Sequence, residues 1–252
     1  MQSRPALSPG TRSPRAIIRE AGLEGRVHLG LGAGSADPGA GLEASELNLL
    51  TPDQLRLDAL LGLGRKATAG ALIELAGERS SGRTALAYRM AAGATARGEL
   101  VAWLDLPDAL DPRFLRRSGV DLSALLWVRP PGLRATLRAA EILVRAGFAM
   151  VAIDLCGIGT RTLAKLPNSA WTRLLHSLRG ARATAVLLSG PDRISGTAAT
   201  LGIYTERSQA IFDRALLEGL ELHASVIRNR AGPIGETHPL RVLQRPVPAD
   251  PS

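Results

Sequence analysis

Six short, continuous apolar runs separated by helix-length stretches constrain this chain more than any other feature. The runs are Ala71–Ala76 (ALIELA), Glu99–Asp105 (ELVAWLD), Leu125–Arg129 (LLWVR), Ala149–Leu155 (AMVAIDL), Thr184–Ser189 (TAVLLS) and His223–Arg228 (HASVIR). Each is short for a helix and largely apolar, the type of run whose two faces are both covered, as in a parallel sheet between helices. The stretches Thr84–Ala96, Leu133–Ala146, Ser169–Gly180 and Glu206–Gly219 read as helices, the second with Leu133, Leu137, Ala140 and Val144 along one face. The expected fold class is α/β, with a mostly parallel sheet flanked by helices on both faces. The chain contains no internal repeat.

Outside this body the composition changes. Residues 1–50 read as a flexible N-terminal arm followed by a short helix and a Gly-rich linker. The first 13 residues are rich in Pro, Ser and Arg, Ala16, Ile17, Ile18 and Ala21 mark the helix that Gly22 ends, and GRVHLGLGAGSADPGAG opens on a strand fragment. Residues 51–230 form the expected core. Residues 231–252 form a Pro-rich C-terminal tail whose apolar cluster, Pro239–Leu243, is suited to dock on the domain or on a partner.

Aromatic residues make up 3% of the chain, so Ala, Leu, Val and Ile must build the core and few rings remain to stack on bases. Cys156 is the only cysteine, which excludes an internal disulfide. His28, His176, His223 and His238 lack ligand spacing, so no His/Cys metal site is expected. Neither a signal-peptide stretch nor a membrane-spanning run occurs, and the expectation is a cytoplasmic protein with no membrane partner. The net charge of +8 is carried by Arg, since Lys66 and Lys165 are the only lysines. That balance favours polyanionic or acidic partners, including weak non-specific DNA binding; a genome-wide preference for Arg over Lys accounts for it equally well.

The first run leads into Gly77-Glu78-Arg79-Ser80-Ser81-Gly82-Arg83-Thr84 and then into a predicted helix. Strand, glycine-bearing loop and helix in that order form a phosphate loop: backbone amides turn inward around phosphate oxygens, and the helix start adds partial positive charge. Thr84 would offer its hydroxyl to magnesium, and Asp154, closing the run AMVAID, is placed to be the second magnesium-holding group. Arg83 stands where such loops carry Lys, and a planar fork does not replace a compact ammonium neatly, which leaves binding of ATP with magnesium open.

The segments GERSSGRTALA, AWLDLPDALDPRFLRRSGVDLSALLWVRP and AMVAIDL resemble the RecA recombinase core in order and spacing, from about Thr51 to Asn229. The resemblance implies a nucleotide site in which Gly77, Ser80, Ser81, Gly82, Arg83 and Thr84 cradle phosphate, Asp111 matches the family's DALDP segment, and Phe114 stands where a Tyr stacks on adenine. It also exposes losses. Pro107 occupies the position of the acid that orients the attacking water, with Asp108 adjacent; Ser189-Gly190 replaces an Asn-Gln pair that senses the γ phosphate; and both DNA-binding loops look reduced.

A RecA-like domain with these departures resembles the ImuA proteins, also called SulA-like. That resemblance implies a degenerate, non-enzymatic accessory factor of SOS-type error-prone translesion synthesis. Its partners would be RecA, whose recombinase activity it would inhibit, a Y-family-like polymerase subunit and an error-prone replicative-type polymerase. A working DNA-dependent ATPase of recombination or repair is the alternative, and a cell-division inhibitor a further one.

Overall fold

The computed structural model describes residues 27–29, 69–163, 165–195, 198–206, 209–213 and 216–243. Strands β1 (Val27–Leu29), β2 (Leu72–Gly77), β3 (Val101–Asp105), β4 (Leu125–Val128), β5 (Met150–Asp154), β6 (Thr184–Leu188), β7 (Leu201–Thr205), β8 (Gln209–Asp213), β9 (Leu216–Asn229) and β10 (Thr237–Leu243) form one sheet. Helices α1 (Arg83–Ala96), α2 (Pro112–Arg117), α3 (Leu133–Arg145), α4 (Thr160–Leu163) and α5 (Asn168–Leu178) connect them. The strand order is β1-β4-β3-β5-β6-β2-β7-β9-β10, with β8 also paired to β9. From β4 to β7 every pairing is parallel, and the outer strands are antiparallel.

The central strands are buried at every position or nearly so, as their continuous apolar runs require, and they divide their side chains between two cores. On one face Ile73, Leu75, Val101 and Trp103 pack with Leu86, Met90 and Ala91 of α1 and with Leu222, Val226 and Leu240 of β9 and β10. Alanines 85, 87, 91 and 94 keep α1 thin enough to lie close to the sheet while the last two strands close over it. On the opposite face Leu72, Leu104, Val151 and Ile153 meet Leu137, Leu143 and Val144 of α3 and Trp171 and Leu174 of α5. Helix α3 is amphipathic: Leu137, Ala140, Leu143 and Val144 face the sheet, and Arg134, Arg138 and Arg145 face outward.

Five of the six predicted runs and three of the four predicted helices lie within two residues of their observed bounds, and the strand fragment expected after Gly25 is β1, antiparallel to β4. The predicted helix Glu206–Gly219 is a correction. Its described residues form β8 and the start of β9, an antiparallel pair running from Gln209↔Glu221 to Asp213↔Leu216. Ala, Leu and Glu give that stretch helical propensity, but it precedes a strict alternation in which Leu222, Ala224 and Val226 are buried and His223 is exposed; ladder pairing and burial override propensity. Strand β9 therefore begins seven residues before the predicted run. Strand β7 was not among the predicted runs.

The apolar cluster Pro239–Leu243 docks on the domain, within β10, and Leu240 is buried there. A proline is tolerated because β10 ends the sheet, where one row of backbone groups needs no partner. The arm, the short helix before Gly22 and the Gly-rich linker lie outside the described residues.

Candidate functional site

The phosphate loop sits between the end of β2 and the start of α1. Ser80 (φ 60°) and Gly82 (φ 87°) both take left-handed backbone conformations, which turn the chain sharply into the helix. Gly82 is required twice over: a Cβ there would strain the positive φ and would meet the Leu222 side chain at 2.5 Å. Gly77 is required by approach alone, since its Cβ would meet the Thr205 carbonyl of β7 at 2.6 Å. Ser81 Oγ and Thr205 Oγ1 are 2.7 Å apart, and Thr205 in turn donates to the Ala76 carbonyl at 3.2 Å, so β7 fixes the loop from one side. The N-terminus of α1 has no side-chain cap and no acidic residue in its first turn, which leaves its positive end uncompensated.

Arg83 defines the chemistry of this loop. Its Nη1 donates to the carbonyls of Gly77, at 2.6 Å, and of Glu78, and its Nε donates to Cys156 Sγ at 3.0 Å. The guanidinium is thus buried against the loop's own acceptors. The Cys156 amide donates to Asp154 Oδ1 at 2.9 Å, which ties β5's acidic end to the same cluster. Burial raises the Asp154 carboxyl above its ordinary value; hydrogen bonding from Cys156 and, to a smaller extent, the Arg83 charge offset part of that. Burial, then the charge of Asp154, pushes the Cys156 thiol up to about 12, so its sulfur is present as the neutral thiol near neutrality.

Asp105, in register with Asp154 on the adjacent strand, accepts from the amides of Ala109 (3.0 Å) and Leu110 (2.9 Å) and from Trp127 Nε1 (3.1 Å). These bonds shape the turn that carries Pro107 and Asp108. The Asp108 carboxylate is 62% exposed and reaches Arg129 at 3.4 Å, so it is engaged at the surface. Asp111 caps α2, its Oδ1 accepting from the amides of Arg113 and Phe114 at 2.8 and 3.4 Å. The half-buried Phe114 ring lies 5.8 Å from Tyr88, which lies 5.1 Å from Trp103. Burial, reinforced by Asp154, Asp105 and Asp111, raises the Tyr88 hydroxyl above its ordinary range.

Gly77, Ser80, Ser81, Gly82, Arg83 and Thr84 therefore form one continuous loop, Asp154 joins it through Cys156, and Asp111 and Phe114 stand apart on α2, connected to α1 by the aromatic stack. The loop's frame and the bare start of α1 fit a phosphate. Thr84 and Asp154 are the groups that would hold magnesium with it; among the described residues no cluster of three or more His, Cys, Asp or Glu could hold a metal by itself. Arg83, as placed, does not fit the part of the usual lysine.

Sequence reasoning missed three contributors. Thr205 and Leu222 come from strands outside the motif, and no local signal marks them. Glu74 was visible as a carboxylate within an apolar run. Its Oε1 accepts from Ser189 Oγ (3.0 Å) and the Ile194 amide (2.7 Å), Ser195 Oγ donates to Oε2, and Arg193 Nε lies 3.8 Å away. The segment after β6, from Ser189 to Ser195, is thereby pinned beside the loop, and the Gly190 carbonyl accepts from the Gly77 amide at 3.2 Å.

This geometry has relatives. Protein RecA of Bifidobacterium breve is 31% identical over 160 residues, covering 61% of this chain and 41% of that protein. Protein RecA of Rhodospirillum centenum is 27% identical over 252 residues, covering 87% and 69%. The chain thus spans about two fifths of the length of the first of these relatives. Among solved structures, the RadB recombinase superposes with a TM-score of 0.56 at 17% identity over 76% of this chain and 96% of that one. The flagellar accessory protein FlaH of Methanocaldococcus jannaschii gives 0.51 at 16% identity over 77% and 96%. Likeness at that identity is likeness of fold. The model of the RecA N-terminal domain matches residues 27–164, a span that holds the phosphate loop, Asp111, Phe114 and Asp154, and the chain belongs to the RecA family.

Proposed function

We propose that this RecA-family chain is an ImuA-type accessory factor of SOS-induced, error-prone translesion synthesis, acting through protein contacts rather than ATP turnover. The observation that carries the reading is Arg83. Three protein acceptors hold its guanidinium, and turning it toward a phosphate would mean breaking bonds to the buried Gly77 carbonyl, the Glu78 carbonyl and the Cys156 sulfur. Pro107 offers no acid–base group, and Asp108 beside it is turned to Arg129. Where ATP and magnesium bind, the loop from Gly77 to Thr84 and Asp154 hold them as a structural ligand. The partners in this reading are RecA, a Y-family-like polymerase subunit and an error-prone replicative-type polymerase.

The test has two arms. Purified protein hydrolyses ATP at no more than a trace rate with or without single-stranded DNA, and it slows RecA strand exchange when added in several-fold excess. Deleting residues 1–25, which leaves β1 in place, relieves that inhibition. Deleting residues 244–252, which leaves β10 in place, loses the polymerase-side partner in a pull-down. A DNA-stimulated ATPase rate comparable to RecA's, abolished by Thr84→Ala, returns the chain to the working recombinase class. Unchanged strand exchange together with an empty polymerase pull-down ends the accessory-factor reading.

A further inference from the structure

Charge on this chain is sharply localised. Between residues 129 and 189 there are nine Lys and Arg and two acidic residues, seven of the chain's surplus of eight in about a quarter of its length. That segment supplies α3, α4 and α5, which cover one face of the sheet. One of the two acids, Asp154, is buried at the phosphate loop; the other, Glu141, is bonded to Arg173 at 3.2 Å. The exposed cations on this side are Arg134, Arg138, Arg145, Arg161, Lys165, Arg173, Arg179 and Arg182.

Between α3 and α5 the face is not flat. A groove of about 460 Å³ has the buried Leu137 and Ala170 as its floor, Leu166 and Pro167 as a wall, and Arg134, Arg138 and the Arg173–Glu141 ion pair around its rim, so Arg134 and Arg138 carry its net positive charge. Among the described residues neither Arg134 nor Arg138 has an ion-pair partner. A surface evolved for phosphate alone has no use for an aliphatic floor, and a base-binding surface would present rings; Trp171, the aromatic residue of α5, is turned into the core. Aliphatic floor and cationic rim together complement an amphipathic helix whose apolar residues recur at i, i+3 and i+4 and whose flanks are acidic.

We propose that the α3–α5 groove is a docking site for an acidic amphipathic segment of a partner protein, a contact separate from the arm and tail. It does not depend on the function proposed above. Helix α3 supplies Arg134 and Arg138 one turn apart to pair with carboxylates, while Leu137 between them meets the aliphatic anchor.

The test uses the whole chain and a fluorescent 16-residue peptide of Glu and Leu with leucines at helical spacing, beside a scrambled peptide of the same composition, at 150 mM salt. Saturable binding is expected for the first peptide and at least tenfold weaker binding for the scrambled one. Arg134→Glu with Arg138→Glu weakens it tenfold or more, and Leu166→Ser, which changes no charge, weakens it several-fold. Arg179→Glu with Arg182→Glu, an equal charge change off the groove, alters it less than twofold; circular dichroism checks that each variant is folded. Equal loss from the two charge-reversal pairs, indifference to Leu166→Ser, or no saturation up to about 1 mM peptide overturns the proposal. So does a single-stranded oligonucleotide that binds more tightly than the peptide and shows the same groove-selective losses, which would assign the face to nucleic acid.

Discussion

Glu74 is fully buried in the strand that feeds the phosphate loop, and its carboxylate answers to four groups of a single distant segment. A charge taken out of water is tolerated when its lone pairs are filled, and removing it strands the donors that filled them. Glu74→Ala is expected to cost about 3–5 kcal/mol of unfolding free energy in denaturant titration, and Glu74→Gln, which keeps an acceptor oxygen, about 1–2 kcal/mol. A cost below about 1 kcal/mol for the alanine would mean that other contacts hold residues 189–195. The carboxylate was legible in ALIELA, but its partners lie 115 or more residues away, and no local pattern connects them. Cys156 carries a second test. Its thiol is pushed from 9.0 up to about 12, so between those values the native chain keeps a proton that the unfolded chain gives up; stability from this group is complete below pH 9.0 and falls as pH rises toward 12. At pH 9 the native thiol should be alkylated by iodoacetamide on the order of a hundredfold more slowly than the unfolded one, and equal rates would place an ionised sulfur beside Arg83.

Between elements, the decisive contact is the one that β9 makes with the start of α1. Leu222 is fully buried, and its Cδ2 lies where a side chain on Gly82 would have to go, so the strand braces the loop from outside. Gly82→Ala should cost about 2–4 kcal/mol, from the positive φ and from the clash, and Leu222→Ala about 2–4 kcal/mol for the space it leaves. Because the second change makes room for the first, the double variant should fall short of the sum by about 1 kcal/mol or more; strict additivity would show that the φ strain alone matters. The loop motif was legible residue by residue, since strand, glycines and helix start are local. Its bracing was not, since Leu222 falls between the stretch read as a helix, which ends at Gly219, and the run that opens at His223, and β9 joins the two. The same limit applies to Thr205, supplied by a strand that the sequence reading missed; in β10 the apolar cluster Pro239–Leu243 was legible as a docking segment, but its pairing with β9 was not.

At the scale of the molecule, composition could not separate a basic surface from a genome that writes Arg for Lys, because both give the same totals. Placement separates them: genomic bias exchanges one cation for another wherever it falls, but it does not gather seven surplus charges onto the helices of one sheet face and leave the rest of the chain near neutral. Such a face attracts any polyanion through released counterions, without reading its sequence. Single-stranded DNA should therefore bind weakly, with a log–log salt slope of about −3 to −5, the value for roughly four to seven phosphates, and lose about sixtyfold to a thousandfold in affinity between roughly 50 and 200 mM salt. With 3% aromatic residues and, among the described residues, no Phe, Trp or Tyr exposed on α3 or α5, little is available to hold bases once salt has screened the phosphates. Charge-reversal pairs should weaken DNA binding in proportion to the charge removed wherever on the face they lie, Arg179 with Arg182 as much as Arg134 with Arg138, in contrast to the peptide. Tight binding that survives about 0.5 M salt, read by fluorescence anisotropy, would require stacking or insertion by residues away from this face, such as the exposed Phe212 of β8, and would defeat a purely electrostatic account of this surface.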